Sequence, residues 1–430
     1  MASKLRVDEI ISNNNNVSIG TATFTGDVSV TGSLTATSNS QINVGDTFLK
    51  ATNQVGLGTT STAGRNAGIN TAIGTLIYNA DTTSIEGYAR TGWISVKALE
   101  VVNATGGTII NYSGYRYHVI ASDQDFVVDT GNITSAEILV IGGGGGGSDG
   151  YGSAGGGAGS VVHATSVPIS PGTYAVVVGP GGTGADSPGN PGPAGPVCVG
   201  GDGTASSIGL PTPIVANGGG GGGSGHSSDA QSIVIGRNGG SGGGGGYYSQ
   251  PGAPDGPNAG GTGTAPPTSP ASAAISDAGG KSYQNDGGAG WYNGAGGLQV
   301  GGGGGGAGGV GHSYNSTPKA DGGDALAFGA FPAPVIQPGI PAPVRSDWTS
   351  AVTSTGFYAG GGGGAYQGNS NPYYDGGGGG AGNGGSSGGN GADAVDYTGS
   401  GGGAAGGPSM GLKAGDGGNG IVLIKYEYVT

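Results

Sequence analysis

Six uninterrupted glycine runs of nearly equal length leave this chain few ways to fold. They occupy residues 142–147, 218–223, 242–246, 301–306, 360–364 and 376–380. Ordering a residue's backbone costs about 1–2 kcal/mol, and glycine loses more conformational freedom than any other residue. Because the runs have no side chains to bury, their own amide groups must supply the compensating interactions.

The matched lengths predict rods of one layer rather than flexible linkers. An extended helix with three residues per turn has no internal hydrogen bonds, so its amides are free to bond sideways to neighbouring rods. Without side chains, such rods can pack at backbone contact. We therefore predict a domain of packed polyglycine II helices, with Ala, Ser and Asn interruptions tolerated at its margins.

Collagen and disorder are the alternatives for a chain with 109 glycines in 430 residues. Collagen needs glycine at every third position, whereas these glycines form solid runs. Disordered chains are usually highly charged, but this one has a net charge of only −13 and retains 19 tyrosines. The composition favours a folded protein that is mostly β and irregular, with very little helix.

Alternating and apolar stretches predict the strands. Those at residues 76–78 and 92–96 lie in the N-terminal region, and those that close the glycine-rich domain are residues 115–119, 125–128, 137–141, 173–178 and 421–424. We expect the C-terminal strand to return and pair near residues 115–141, with Lys425 to Tyr428 alternating more like an edge strand. Residues 97–112 look like a connector.

The N-terminal region contains a six-residue repeat, TGDVSV at 25–30 followed by TGSLTA at 31–36. Strands this short cannot bury a face alone and usually stack with copies from other chains. This favours a homotrimeric stalk. The predicted domains are an N-terminal segment 1–16, a β-rich stalk 17–112, and a glycine-rich domain 113–430 with projecting loops.

Charge and hydropathy exclude several function classes. Residues 1–100 are nearly neutral and the rest is acidic, which argues against nucleic-acid binding. The N-terminus lacks the apolar stretch of a secretion signal, and no apolar run is long enough for membrane insertion. The lone Cys198 cannot form an intrachain disulfide, and a small hydrophobic role suits it. Of the 15 acidic residues after position 141, 14 are Asp, which suits turns.

No motif predicts catalysis, cofactor binding or a metal site. The four histidines are far apart in sequence and lack carboxylates at ligand spacing. After Glu137 the only glutamate is Glu427, and a glycosidase needs two positioned carboxylates. We predict that the protein is not an enzyme and has no cofactor.

Aromatic residues beside the glycine runs are the candidate binding residues. Tyrosine and tryptophan offer rigid contact area with a polar handle, which suits protein surfaces and sugar faces. The alternative is that they cover the sides of the glycine array or a subunit interface. The candidates are Tyr247, Tyr248, Trp291, Tyr292, Tyr314, Phe357, Tyr358, Tyr373 and Tyr374.

Three stretches resemble the glycine-rich domain of tailed-phage tail fibres and fibre-tip adhesins. They are EILVIGGGGGGSDGYGSAGGGAG (137–159), PGTYAVVVGPGGTG (171–184) and GDGGNGIVLIKY (415–426). The N-terminal TGDVSVTGSLTA and GTLIYNADTTSIEGY are similar to modules of fibre-like proteins of marine and cyanobacterial phages. The resemblance implies a polyglycine sandwich whose variable loops at one end touch the host receptor.

The expected function is therefore a virion structural protein, a tail fibre or tip adhesin. Segment 1–16 would attach it to other tail or baseplate proteins, and its loops would bind a host-surface glycan or outer-membrane protein. It would be made in the host cytoplasm without a signal peptide. The alternatives are a purely structural fibre, decoration or connector of the virion, and a glycine-rich extracellular protein of cellular origin.

Overall fold

A computed structural model describes most of the chain after residue 58. The described residues are 59–68, 73, 75–82, 84–96, 102–186, 198–225, 231–247, 257–265, 281–293, 298–314, 320–367, 374–386, 388–407 and 412–428. The predicted segment 1–16 and the repeat at 25–36 lie outside them. Contacts divide the chain into two units, Met1–Lys97 and Ala98–Thr430.

The described residues of the first unit form a small four-stranded sheet and one helix. The sheet follows chain order, and its first two strands are parallel whereas the others are antiparallel. Its elements are β1 (Thr59–Thr60), α1 (Thr62–Gly68), β2 (Leu76–Asn79), β3 (Ser84–Ala89) and β4 (Gly92–Ser95). The strands predicted at 76–78 and 92–96 are confirmed.

A six-stranded sheet forms the centre of the second unit. Its strands are β6 (Thr108–Tyr112), β7 (Tyr115–Ile120), β9 (Ile133–Ile141), β10 (Val161–Ile169), β15 (Lys281–Tyr283) and β21 (Ile421–Glu427). They lie in the order β15-β10-β9-β21-β7-β6, and all pairs are antiparallel. The predicted return of the C-terminal strand is confirmed, since β21 pairs with both β7 and β9.

A five-stranded sheet packs against one face of the six-stranded sheet. Its strands are β5 (Asn103–Thr105), β8 (Gln124–Thr130), β11 (Gly172–Val177), β12 (Ser206–Ile208) and β13 (Ile214–Ala216). The core between the sheets includes Ile138 and Val422 from one sheet and Phe126 and Val176 from the other, all at most 2% exposed. The alternation in these strands places every second side chain in this core.

The opposite face of the six-stranded sheet is covered by residues 326–358. They contain β18 (Leu326–Ala327), α3 (Ala333–Ile336), a 3-10 turn (Gln337–Gly339), α4 (Arg345–Val352) and β19 (Phe357–Tyr358). Phe331 and Trp348 from this segment pack with Leu139 and Leu423 of the sheet. A further short helix, α2, spans Gln231–Val234. Both faces of the central sheet are therefore buried.

Two sequence expectations for this unit are wrong. Residues 103–112 are not a connector, because β5 pairs with β8 and β6 pairs with β7; contacts accordingly place the unit boundary after Lys97 rather than after residue 112. Lys425 is not in an edge strand, because it pairs with Tyr117 on one side and Glu137 on the other. Its alternation instead reflects an ion pair, in which Lys425 Nζ lies 3.0 Å from Glu137 Oε2.

The glycine segments continue directly from the strands. Ile141, the last residue of β9, pairs with both Val161 at the start of β10 and Ile421 at the start of β21. The threads that begin at Gly142 and end at Ser160 and Gly420 are consequently aligned at the sheet. These three threads therefore leave the sandwich at the same level.

Thread 142–149 shows the three-residue hydrogen-bonding repeat of a polyglycine II helix. Its N–H groups donate in rotation to three neighbouring threads: Gly142 and Gly145 to residues 153–160, Gly143 and Gly146 to residues 198–204, and Gly144 and Gly147 to residues 415–418, at 2.8–3.1 Å. Its carbonyls accept in the same rotation from residues 180–186, 217–225 and 399–407. The thread therefore has six neighbours and buries every residue from 142 to 149.

Run 376–380 departs from the predicted pattern. Gly378, Gly379 and Gly380 have φ values of 81°, 56° and 86°, and the chain turns there between residues 374–377 and 381–386. This left-handed conformation strains other residue types, so glycine is needed for the turn rather than for packing. Conversely, residues 180–186, 388–395 and 412–420 form threads without a long run.

The edges of the array are closed by Asp and Asn side chains. The backbone N–H groups of residues 413, 416 and 419 face outward every third position and donate to Asn390, Asp393 and Asp396. Ten such bonds recur along the array, at 2.7–3.2 Å; the acceptors are Asp202, Asn238, Asp286, Asp321, Asn383, Asn390, Asp393, Asp396, Asp416 and Asn419. These aspartates therefore cap edge amides, which the turn interpretation missed.

Candidate functional site

We call the end of the array opposite the β-sandwich the distal end. Threads that leave the sheets reach this end at residues such as Asp186, Gly225, Tyr247 and Gly407. At the sandwich end, Thr264 is bonded to Gly239 and Gly240, and Lys281 pairs with His163.

A small sheet lies at the distal end. Its strands are β14 (Pro257–Asn258), β16 (Gly290–Asn293), β17 (Leu298–Val300) and β20 (Tyr366–Gln367), and all three pairs are antiparallel. The sheet forms where the threads end and larger side chains resume. It holds Trp291 and Tyr366 in place.

Five aromatic residues meet at this end, and we call them the distal aromatic group. They are Tyr247, Trp291, Tyr314, Tyr366 and Tyr374. The rings of Trp291 and Tyr314 are stacked with centroids 6.1 Å apart and an interplanar angle of 19°. Tyr314 and Tyr366 pack against a small core that contains Tyr374, Val300 and Ala320.

The members of this group differ in exposure. Trp291, Tyr314 and Tyr366 are half-buried, whereas Tyr247 is 2% exposed and Tyr374 is 9% exposed. The Tyr247 hydroxyl accepts a hydrogen bond from Gln299 Nε2 at 3.1 Å, so this residue anchors β17 to the neighbouring thread. Trp291, Tyr314 and Tyr366 are thus the members that offer surface to a ligand.

Burial dominates the ionisation of the polar groups here. It raises the pKa of Tyr374 to about 12, and the nearby Tyr366, Tyr314 and Asp321 add to the shift. Burial also raises the pKa of Asp321, with a contribution from the charge of Asp375, while the hydrogen bond from the Asp375 amide opposes it. Tyr374 therefore stays a neutral hydrogen-bonding group at physiological pH.

The remaining predicted residues are placed differently. Phe357 and Tyr358 lie in β19 beside the β-sandwich, away from the distal end. Tyr358 is fully buried and donates a hydrogen bond to the Phe331 carbonyl at 2.9 Å, and burial raises its pKa. Phe357 is 36% exposed. Tyr358 is thus a core residue, which agrees with the structural alternative for these aromatics rather than with a binding role.

The side chains of three predicted binding residues are not among those that the structure describes. Tyr292 belongs to β16, where its backbone pairs with Gln299. Tyr248 and Tyr373 lie outside the described residues. The sequence interpretation omitted Tyr366, although it follows the run 360–364 after a single alanine. The same pattern of an aromatic beside a glycine run could have identified it.

The described part of the chain offers little for other chemistry. It contains no group of three or more His, Cys, Asp or Glu side chains arranged to hold a metal ion. Within the same residues, none of the helices has the length and apolar character needed to cross a membrane.

Fold and site together define a β-sandwich from which a hydrogen-bonded array of glycine threads extends to an aromatic end. The sequence pattern of the glycine-rich domain matches residues 121–427, from β8 to the last residue of β21. The chain therefore belongs to the glycine-rich domain family. No curated protein matches the chain.

Proposed function

We propose that the protein is a virion structural protein, a tail fibre or fibre-tip adhesin, that binds a host-surface receptor through its distal end. One observation supports the proposal: the array holds the distal aromatic group at the end opposite the sandwich, where threads end at residues such as Asp186, Gly225 and Gly407. The N-terminal segment 1–16 would attach the chain to other tail or baseplate proteins. The protein would then reside in the virion.

The rigidity of the array supports a role in recognition. A thread such as 142–149 is bonded to six neighbours, so its distal end has little freedom to lose when a ligand binds. Holding a binding surface in its bound arrangement lowers the entropic cost of association. Connecting segments can vary in sequence while the threads beneath them remain unchanged.

The chemistry of the distal aromatic group fits a receptor with both apolar and polar surface. Stacked Trp291 and Tyr314 offer aromatic faces, and the tyrosine adds a hydroxyl group. Such side chains bind glycans and protein loops alike, so a host-surface glycan and an outer-membrane protein are both suitable receptors. The acidic balance of the domain disfavours a nucleic acid as the partner.

Adsorption of the full chain to cells tests the receptor role. Fluorescently labelled protein would be titrated against a panel of cyanobacterial and other marine bacterial cells, with Trp291→Ala, Tyr314→Ala and Phe357→Ala compared with the unchanged protein. Central aromatic contacts typically contribute about 2 kcal/mol or more, so the first two variants should bind roughly 30-fold more weakly. Phe357→Ala, a matched exposed aromatic beside the sandwich, should bind normally.

Two outcomes would overturn parts of this proposal. Undiminished adsorption of both distal variants would remove the receptor role and leave a purely structural fibre, decoration or connector. Mass spectrometry of purified phage particles tests the virion role separately. If the chain were missing from such particles and present in a cellular extracellular matrix, the cellular alternative would replace it.

A further inference from the structure

The small sheet of the first unit buries polar side chains on one face and exposes apolar side chains on the other. Its inner face carries Ile77, the half-buried Tyr88 and Trp93, and the buried Asn79 and Glu86, which are 0% and 3% exposed. Its outer face carries large apolar side chains. In an ordinary sheet with one solvated face, that face is polar.

The polar groups of the inner face find their partners within the unit. Glu86 Oε2 lies 2.7 Å from Arg65 Nη1 of helix α1. Glu86 Oε1 accepts hydrogen bonds at 3.0 Å from both Asn79 Nδ2 and Thr82 Oγ1. Helix α1 covers this face. Because these polar groups find their partners within the unit, no further molecule is needed to satisfy them.

The outer face is an exposed apolar patch, which we call the outer apolar face. It consists of Leu76, Tyr78, Ile85, Ile94 and Val96, which are 51%, 37%, 40%, 52% and 45% exposed. Tyr78 pairs directly with Ile85.

Gly87 lies at the centre of this face. A Cβ atom there would contact Val96 Cγ2 at 3.3 Å and Leu76 Cδ2 at 3.4 Å, which places these two side chains around one point. Ile94 pairs with the same glycine. The five side chains are therefore contiguous and contain no charge, which is typical of a surface that is covered by a partner.

Within its described part, this unit has few buried apolar side chains. Ile77 is the only hydrophobic residue of the described residues 59–96 that reaches the buried class. A partner on the outer apolar face would bury further apolar surface on this sheet.

We propose that the outer apolar face is an interface with further copies of this chain. The uncharged face can meet an identical face without opposing like charges. The six-residue repeat at 25–36 lies upstream on the same chain, and the short strands that its sequence predicts would also need identical copies to bury a face. One assembly of the N-terminal region satisfies both requirements. This inference does not depend on the proposed receptor role.

The mass of the full chain in solution tests this interface. Multi-angle light scattering at micromolar concentration should give a homo-oligomer for the unchanged protein. Leu76→Glu with Ile94→Glu should shift the mass to that of a single chain. Val310→Glu, at a residue 57% exposed in the second unit, is the matched control and should leave the oligomer intact.

A crosslinking variant covers the case in which the glutamates unfold the small unit. Ile94→Cys in a Cys198→Ser background should give oxidised covalent dimers between chains, whereas Val310→Cys in the same background should not. A single-chain mass for the unchanged protein would overturn the proposal and indicate a different partner. It would equally fail if the double glutamate variant stayed oligomeric, or if Ile94→Cys formed no dimer.

Discussion

Replacing one central glycine tests the packing of the array most directly. A Cβ atom on residue 145 would lie closer than 3.0 Å to the carbonyl group of Gly220. Those atoms belong to backbone, so no side-chain rotation can relieve the clash. Gly145→Ala must therefore push threads 142–149 and 217–225 apart.

The expected cost follows from the contacts between these two threads. Overpacking typically costs about 1–3 kcal/mol. Separation also weakens two bonds, from Gly219 N to Gly143 O at 2.8 Å and from Gly222 N to Gly146 O at 3.0 Å, each contributing about 1 kcal/mol. Alanine restricts the unfolded chain and returns about 0.4–1 kcal/mol. The net loss is about 2–4 kcal/mol.

Gly329→Ala is the matched control, because a Cβ at residue 329 meets no atom within 4 Å and φ is not positive there. It should stabilise the protein slightly, by about 0.5 kcal/mol. Hydrogen exchange followed by mass spectrometry on the full chain reports the local stability of residues 142–160. If residues 142–160 were equally protected from exchange in Gly145→Ala and Gly329→Ala, within about 0.5 kcal/mol, the backbone-contact explanation of the glycine runs would be wrong.

Three further predictions concern the edge, the core and the sandwich. Asp416→Ala removes the acceptor that Gly184 N reaches at 2.7 Å, so this amide should exchange roughly fivefold faster by NMR, for a bond of about 1 kcal/mol, while Asp416→Asn should retain protection. Trp348→Ala should cost about 3–5 kcal/mol in urea denaturation, because the fully buried indole fills the core beside the central sheet; Trp348→Phe should cost less, and equal costs would contradict this packing role. Burial lowers the pKa of His118 from 6.5 to about 4, so the unfolded chain takes up this proton first as the pH falls. His118 should therefore leave the free energy of unfolding unchanged above pH 6.5 and lower it by about 3 kcal/mol towards pH 4. The comparison is a His118→Gln variant, with the free energy of each protein expressed relative to its own value at pH 7.5. Parallel pH profiles of the two proteins would refute this prediction.

The pattern of the strands was largely readable from local sequence. Apolar stretches such as 137–141 and 421–424 predicted β9 and β21, and the pairing between them, because such runs suit strands buried on both faces. Five of the six glycine runs lie in threads, as predicted from their lack of side chains, which lets backbones pack in direct contact. The sixth, 376–380, has the same composition but turns, since glycine permits both conformations.

The edge aspartates show why spacing alone was misleading. Asp next to glycine is typical of turns, and that local preference was used for the prediction. In the structure Asn390, Asp393 and Asp396 recur every third residue because each turn of a thread presents one outward position to its neighbour. The sequence shows this three-residue spacing, but whether the side chains accept hydrogen bonds from edge amides depends on which thread lies alongside.

The distal aromatic group was only partly predictable. Trp291 and Tyr314 were both candidates from their position beside glycine runs, yet nothing in the sequence placed them in contact. Tyr358 had the same sequence signature and is buried at the other end, because β19 packs under the central sheet. Whether an aromatic residue faces a core or a ligand depends on the direction in which its thread runs.

By itself, the sequence determined that this chain must order its backbone through lateral amide bonds, because glycine runs have no other groups with which to offset their entropy. It also determined that strands enclose these runs. Only the tertiary structure decided which threads lie side by side, which aromatic side chains lie at the distal end, and which face of the small N-terminal sheet is left apolar. Those features depend on contacts between residues far apart in the chain, such as Gly144 with Gly418, and no local pattern encodes them.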